Sequence, residues 1–139
     1  MLALAMLAGE VAVHASGFRP KGVTMLVVPA RYSVLQVAFD ILSKRDAVLV
    51  AYQGDPTSAE PLLHAWDGRE WVYVTMEKYR DLGFLDLTPS QVVLVGDESL
   101  LPPSLIDASG WSPQVMNVPF IDTAALVNSF GQLFSFRRS

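Results

Sequence analysis

The chain carries two kinds of apolar pattern. "GVTMLVVPA" (22–30), "AVLVAYQ" (47–53) and "VVLVG" (92–96) are short, nearly unbroken apolar runs. A strand with one wet face alternates apolar and polar residues, so an unbroken run suits a strand buried on both faces, as in parallel sheets. Between the first two runs, "RYSVLQVAFDILSKRD" (31–46) spaces Val34, Val37, Ala38, Ile41 and Leu42 as one face of a helix. Lys44 and Arg45 are expected in its last turn, where the helix dipole favours cations. "PQVMNVP" (113–119) predicts a further strand. "IDTAALVNSFGQLFSF" (121–136) predicts a last helix, with Leu126, Phe130 and Leu133 on one face and Asp122 or Thr123 as its cap.

The middle of the chain differs. "DPTSAEP" (55–61) is a loop by turn chemistry. "LLHAWDGREWVYVT" (62–75) sets Asp67-Gly68 between two strand-like runs, a strong hairpin signal. A tight two-residue turn with positive φ is expected there, with Trp66 and Trp71 paired across it. Alternation puts Trp71 and Tyr73 on one face and Glu70 and Val72 on the other. "MEKYRDLGF" (76–84) supports only a short helix. Residues 99–108 can be helical if Pro102 and Pro103 sit in the first turn.

Strands alternating with helices predict an α/β fold: a mostly parallel, Rossmann-like sheet flanked by helices, with one antiparallel β-hairpin at an edge. Leu26, Val28, Val48, Val50, Val93 and Val95 are expected as buried strand residues of one sheet.

Composition narrows the function classes. The 139 residues suffice for one domain with a real core. At 51% hydrophobic and 17% charged the chain is globular. The net charge of -4 argues against a nucleic-acid groove, and no apolar run is long enough to span a bilayer. "MLALAMLAGEVAVHASG" has an apolar run followed by Val13-His14-Ala15, the pattern of an export leader at 1–15 ahead of a single domain at 16–139. No Lys or Arg precedes that run and Glu10 lies near its end, so an amphipathic helix is the other reading. The protein is exported if the leader is real and cytoplasmic otherwise. The absence of Cys fits either compartment.

The segments beginning at Met25 and Met116 match at a constant interval: Met25 with Met116, Val27 with Val118, Leu35 with Leu126, Phe39 with Phe130 and Leu42 with Leu133. The prolines match only with a one-residue slip. Together with Arg31-Tyr32-Ser33-Val34, "WVYVT", "VVLVGDES" and Ile121-Asp122-Thr123-Ala124, this resembles the cell-wall-binding repeat family of bacterial surface proteins. The resemblance spans about 23–136. It implies a compact βα domain outside the cytoplasm. Asp97 stands where the family has a second glycine, and the Trp-rich hairpin stands where it has a helix.

"GDESLLPP" (96–103) has one glycine, two acids and no lysine, so it is no phosphate cradle. Gly96 is expected to permit a turn, and Asp97 or Ser99 to cap the next helix. In open parallel sheets, ligands bind beyond the carboxyl ends of the strands. Arg31, Tyr32, Gln53, Asp55, Asp97, Glu98, Ser99 and Asp122 are the candidate rim, and Trp71 is the candidate aromatic contact. The ordinary alternative is a solvated loop edge. No G-x-S-x-G elbow, metal-ligand spacing or cofactor fingerprint is present. His64 is read as a surface or packed residue of the hairpin. The expected function is a non-catalytic exported domain binding envelope polysaccharide or a protein partner. The alternative is a small-molecule or enzymatic domain using the rim. A final helix normally feeds another strand, so a longer chain or a second copy is expected to complete the sheet.

Overall fold

The computed structural model describes residues 22–134, so the expected leader at 1–15 lies outside the described residues. The elements run β1 (Thr24–Pro29), α1 (Tyr32–Leu42), β2 (Ala47–Gln53), β3 (Leu62–Trp66), β4 (Trp71–Val74), α2 (Met76–Asp81), β5 (Gln91–Val95), α3 (Pro103–Ala108), β6 (Val115–Val118) and α4 (Thr123–Phe134). The fold is α/β. One six-stranded sheet has the order β4-β3-β2-β1-β5-β6. β1, β2, β5 and β6 are parallel, while β3 pairs antiparallel with β2 and with β4. The hairpin therefore forms one edge. Among the described residues, no helix is long and apolar enough to cross a membrane.

The unbroken apolar runs are buried because each face of the sheet has its own helical layer. Leu26, Val28, Leu49, Val93 and Val95 lie under α1 and α4, which pack against each other. Met25, Val27, Val50, Tyr52, Val92 and Leu94 lie under α2, α3 and a short 3-10 turn, Ser109–Trp111. Each fully buried aliphatic side chain contributes ~1.5–3 kcal/mol. That far outweighs the exposed Asp40–Lys44 ion pair, since i,i+4 pairs contribute ~0.3–0.5 kcal/mol. Inside the second layer, Ser109 Oγ donates to the Leu105 carbonyl at 2.8 Å, so the buried Tyr79 hydroxyl, 2.7 Å away, donates to Ser109. Burial pushes the Tyr79 hydroxyl up to about 12, which keeps it a neutral donor.

Several local expectations are corrected. Val48 is half-buried, unlike the other five core positions. It borders an open cleft of about 590 Å³ at the amino end of β2. α1 ends at Leu42, before Lys44 and Arg45, and Lys44 reaches back to Asp40 at 2.9 Å. The hairpin reverses one residue late. Asp67 N–H donates to the Glu70 carbonyl, so Gly68 and Arg69 are the central pair. Gly68 has the positive φ, +102°, and Asp67 does not. The Asp67 carboxylate instead accepts the Arg69 and Glu70 N–H groups, each at 2.8 Å. α3 starts only at Pro103, with Pro102 at its N-cap position. The residue before a proline is pushed out of the helical region, which blocks earlier extension. Asp97 and Ser99 therefore do not cap α3. Asp122 does cap α4, accepting the Ala125 N–H at 2.9 Å.

The internal match also shifts. Val27 and Val118 belong to opposite faces of the sheet. Leu26 shares its layer with Met116, and Val28 with Val118. The strands thus correspond at the interval of the prolines, one residue shorter than the helices suggest.

Candidate functional site

The parallel strands bring most of the candidate rim to one edge. Arg31 and Tyr32 follow β1, Gln53 and Asp55 follow β2, Asp97, Glu98 and Ser99 follow β5, and Asp122 follows β6. The topological switch lies between β1 and β5, where a ligand crevice would open in such a sheet. Here Tyr52 reaches across from β2, and its hydroxyl donates to the Val95 carbonyl at 2.7 Å. Gly96 has φ +132°, and a Cβ there would collide with the Tyr52 hydroxyl. The Tyr52 phenol thus spans from β2 to the carboxyl end of β5 beside the switch point. Burial holds the Tyr52 pKa far above its ordinary value, Asp97 adds to this, and Arg31 opposes it.

The rim acids have local partners. Asp97 accepts both the hydroxyl of Ser99 (2.5 Å) and its N–H (2.9 Å). These bonds, with help from Arg31, hold its carboxyl below the ordinary range. Asp55 accepts the Thr57 N–H and hydroxyl and is likewise held down. Glu98 is exposed. Tyr32 is 78% exposed, and its hydroxyl accepts from the Gln36 side-chain amide at 3.1 Å. Among the described residues, no group of three or more His, Cys, Asp or Glu could hold a metal ion.

A different concavity lies beside this edge, between α1 and the hairpin. Strand register builds it. Leu49 pairs with Trp66 and Trp66 with Trp71, so one face carries two tryptophans in a row. Phe39 of α1 covers them edge-on, with ring centroids 5.1 and 6.0 Å away. The tryptophans meet each other at 5.3 Å. Such edge-to-face pairs suit the aromatic quadrupole. The next row towards the carboxyl edge is Ala51, His64 and Tyr73. Ala51 is small and only 5% exposed, at the floor of the seam between the helix and the hairpin. The resulting groove holds about 250 Å³ and is lined by Ala30, Leu35, Ala51, Gln53, His64 and Trp71. Tyr73 stands outside it, 59% exposed, with its ring 5.9 Å from that of His64.

Two candidates, Gln53 and Trp71, thus line the groove. The other seven remain on the solvated edge. Trp71 and Tyr73 share a face as the alternation predicts, with Trp71 half-buried and Tyr73 exposed. His64, Ala51, Leu35 and Ala30 line the groove without having been candidate site residues from the sequence. The one signal for His64 was its place two residues before Trp66, on the same strand face. No family model, curated protein or solved structure matches the chain.

Proposed function

We propose that this chain is a non-catalytic, exported binding domain that holds a cell-envelope polymer in the groove between α1 and the hairpin. One observation carries the reading: a concave strip of apolar wall, aromatic ring and side-chain amide, open to solvent and set on rigid elements. Binding sites combine such apolar linings with a few placed polar groups. Acid–base catalysis needs a positioned titratable group, usually matched to a second one. The described lining supplies His64 alone. The rival reading, a ligand at the switch point between β1 and β5, meets Tyr52 there. Export rests on the leader pattern at 1–15.

The test is co-sedimentation of the purified domain with washed envelope material from the native host. Wild type should pellet with it, and Ala51→Leu, which fills the groove floor, should stay in solution. Equal pelleting of both would end the groove reading. Loss of pelleting after protease treatment of the envelope would make the partner a protein. N-terminal sequencing of the native protein should begin at Ser16. A cytosolic protein still beginning at Met1 would overturn export.

A further inference from the structure

We infer that the unit held in the groove is a single uncharged sugar ring, lying against Trp71 with its hydroxyls on Gln53 and His64. The inference rests on the binding reading above and adds the ligand's size, charge and orientation.

Size comes first. Pockets for drug-sized ligands occupy ~300–1,000 Å³. A groove of about 250 Å³ has room for one ring, not for a folded peptide segment. Charge comes next. No described lining residue is Asp, Glu, Lys or Arg. A phosphate or carboxylate would give up water there and meet no lysine or arginine. The lining is also two-sided. Leu35, Ala51 and Trp71 form an apolar surface, while Gln53 and His64 bring polar atoms to it. Among the described residues, no protein group hydrogen-bonds the Gln53 amide or the His64 ring nitrogens. The amide can both donate and accept, which suits a hydroxyl that does the same. A pyranose has this two-sided character: C–H groups on its faces and hydroxyls around its rim. Its C–H face suits the negative face of an indole. An aliphatic or phenyl group would fill the space and leave the polar atoms without partners. Tyr73 continues the same strand face beyond His64, exposed and in register, so a second ring of an oligomer would run towards the hairpin edge.

The experiment is calorimetric titration of the domain with neutral trisaccharides of glucose, mannose, galactose and N-acetylglucosamine. Polymers bearing uronic acid or phosphate are titrated in parallel. At least one neutral trisaccharide should bind more tightly than any of the charged polymers. Trp71→Ala and Gln53→Ala should each weaken it, the former by about tenfold or more, corresponding to ~1.4 kcal/mol. Trp71→Ala also removes packing, so Ala51→Leu, with its melting temperature checked, is the control that blocks the groove while keeping the aromatic cluster. Binding that survives Ala51→Leu overturns the inference. So does preference for the charged polymers, or silence from every neutral sugar. If envelope material still pellets the domain in an Ala51-dependent way while no neutral sugar binds, the ring assignment fails and the groove reading stands. If pelleting ignores Ala51→Leu, both fail.

Discussion

Gly96 has φ +132°, and any Cβ there would meet the Tyr52 hydroxyl. Gly96→Ala therefore combines backbone strain of about 1–3 kcal/mol with a steric clash. Tyr52→Phe removes the clashing oxygen together with a hydrogen bond contributing ~1 kcal/mol. Denaturant melts of both single variants and the double variant should show coupling, the Ala penalty being smaller in the Phe background. Strict additivity would contradict the packing described here. Asp67 gives a second residue-scale test. Its carboxyl is held below the ordinary carboxylate range, first by the Glu70 N–H and then by the Arg69 N–H. A carboxyl lowered in the folded state stabilises above its unfolded pKa of about 4, and that contribution is lost as pH falls through the folded value. Melting temperature should thus fall on acidification below about pH 4, and Asp67→Asn should flatten part of that fall. An unchanged acid profile for Asp67→Asn would show that the turn bonds do not discriminate the ionised form. The dipeptide Asp67-Gly68 announced the turn but not its centre, because the register depends on which N–H groups the carboxylate captures.

Among the elements, the hairpin is held by its strand pairing and by a cluster of rings. β4 has only four residues, and Trp71 is half-buried against Phe39 and Trp66. Emptying a fully buried aromatic site costs about 3–5 kcal/mol. Trp71→Ala should cost less, about 1–3 kcal/mol, because part of the ring is already wet. A loss near the top of the buried range would show that Trp71 serves the core and leaves no wall for a ligand. α2 is short and leans on its cap: Thr75 Oγ accepts the Lys78 N–H at 3.1 Å. Thr75→Ala should lower stability by about 1 kcal/mol, read by chemical denaturation, and no change would mean that Met76 and Tyr79 hold the helix by packing alone. Elements with long periodic patterns were legible: β1, α1 and β2 follow directly from their spacing. α3 was not, since its start depends on two consecutive prolines.

At the scale of the molecule, the α/β class followed from alternating patterns, but the strand order did not. The runs of β1, β2 and β5 are alike in composition, and nothing in them says which is central. The order β4-β3-β2-β1-β5-β6 gathers Arg31, Asp97, Asp122 and their neighbours at one edge, as the strand ends imply. It also lets Tyr52 reach from β2 past β1 to the Val95 carbonyl of β5. The groove was illegible for a related reason. It exists because α1 covers β1 and β2, while the hairpin extends past it and Ala51 leaves the seam open. No local pattern encodes that juxtaposition. On the function proposed above, ligand enters this groove and not the strand-end rim. Amide and indole chemical shifts, recorded by NMR while a neutral trisaccharide is titrated, separate the two locations. The Trp71 indole N–H, the Gln53 side-chain amide and the His64 backbone should move together, with Arg31, Asp97 and Asp122 unmoved. Shifts centred on Arg31, Asp97 and Gly96, with Trp71 still, would place the site at the switch point and rule out the groove.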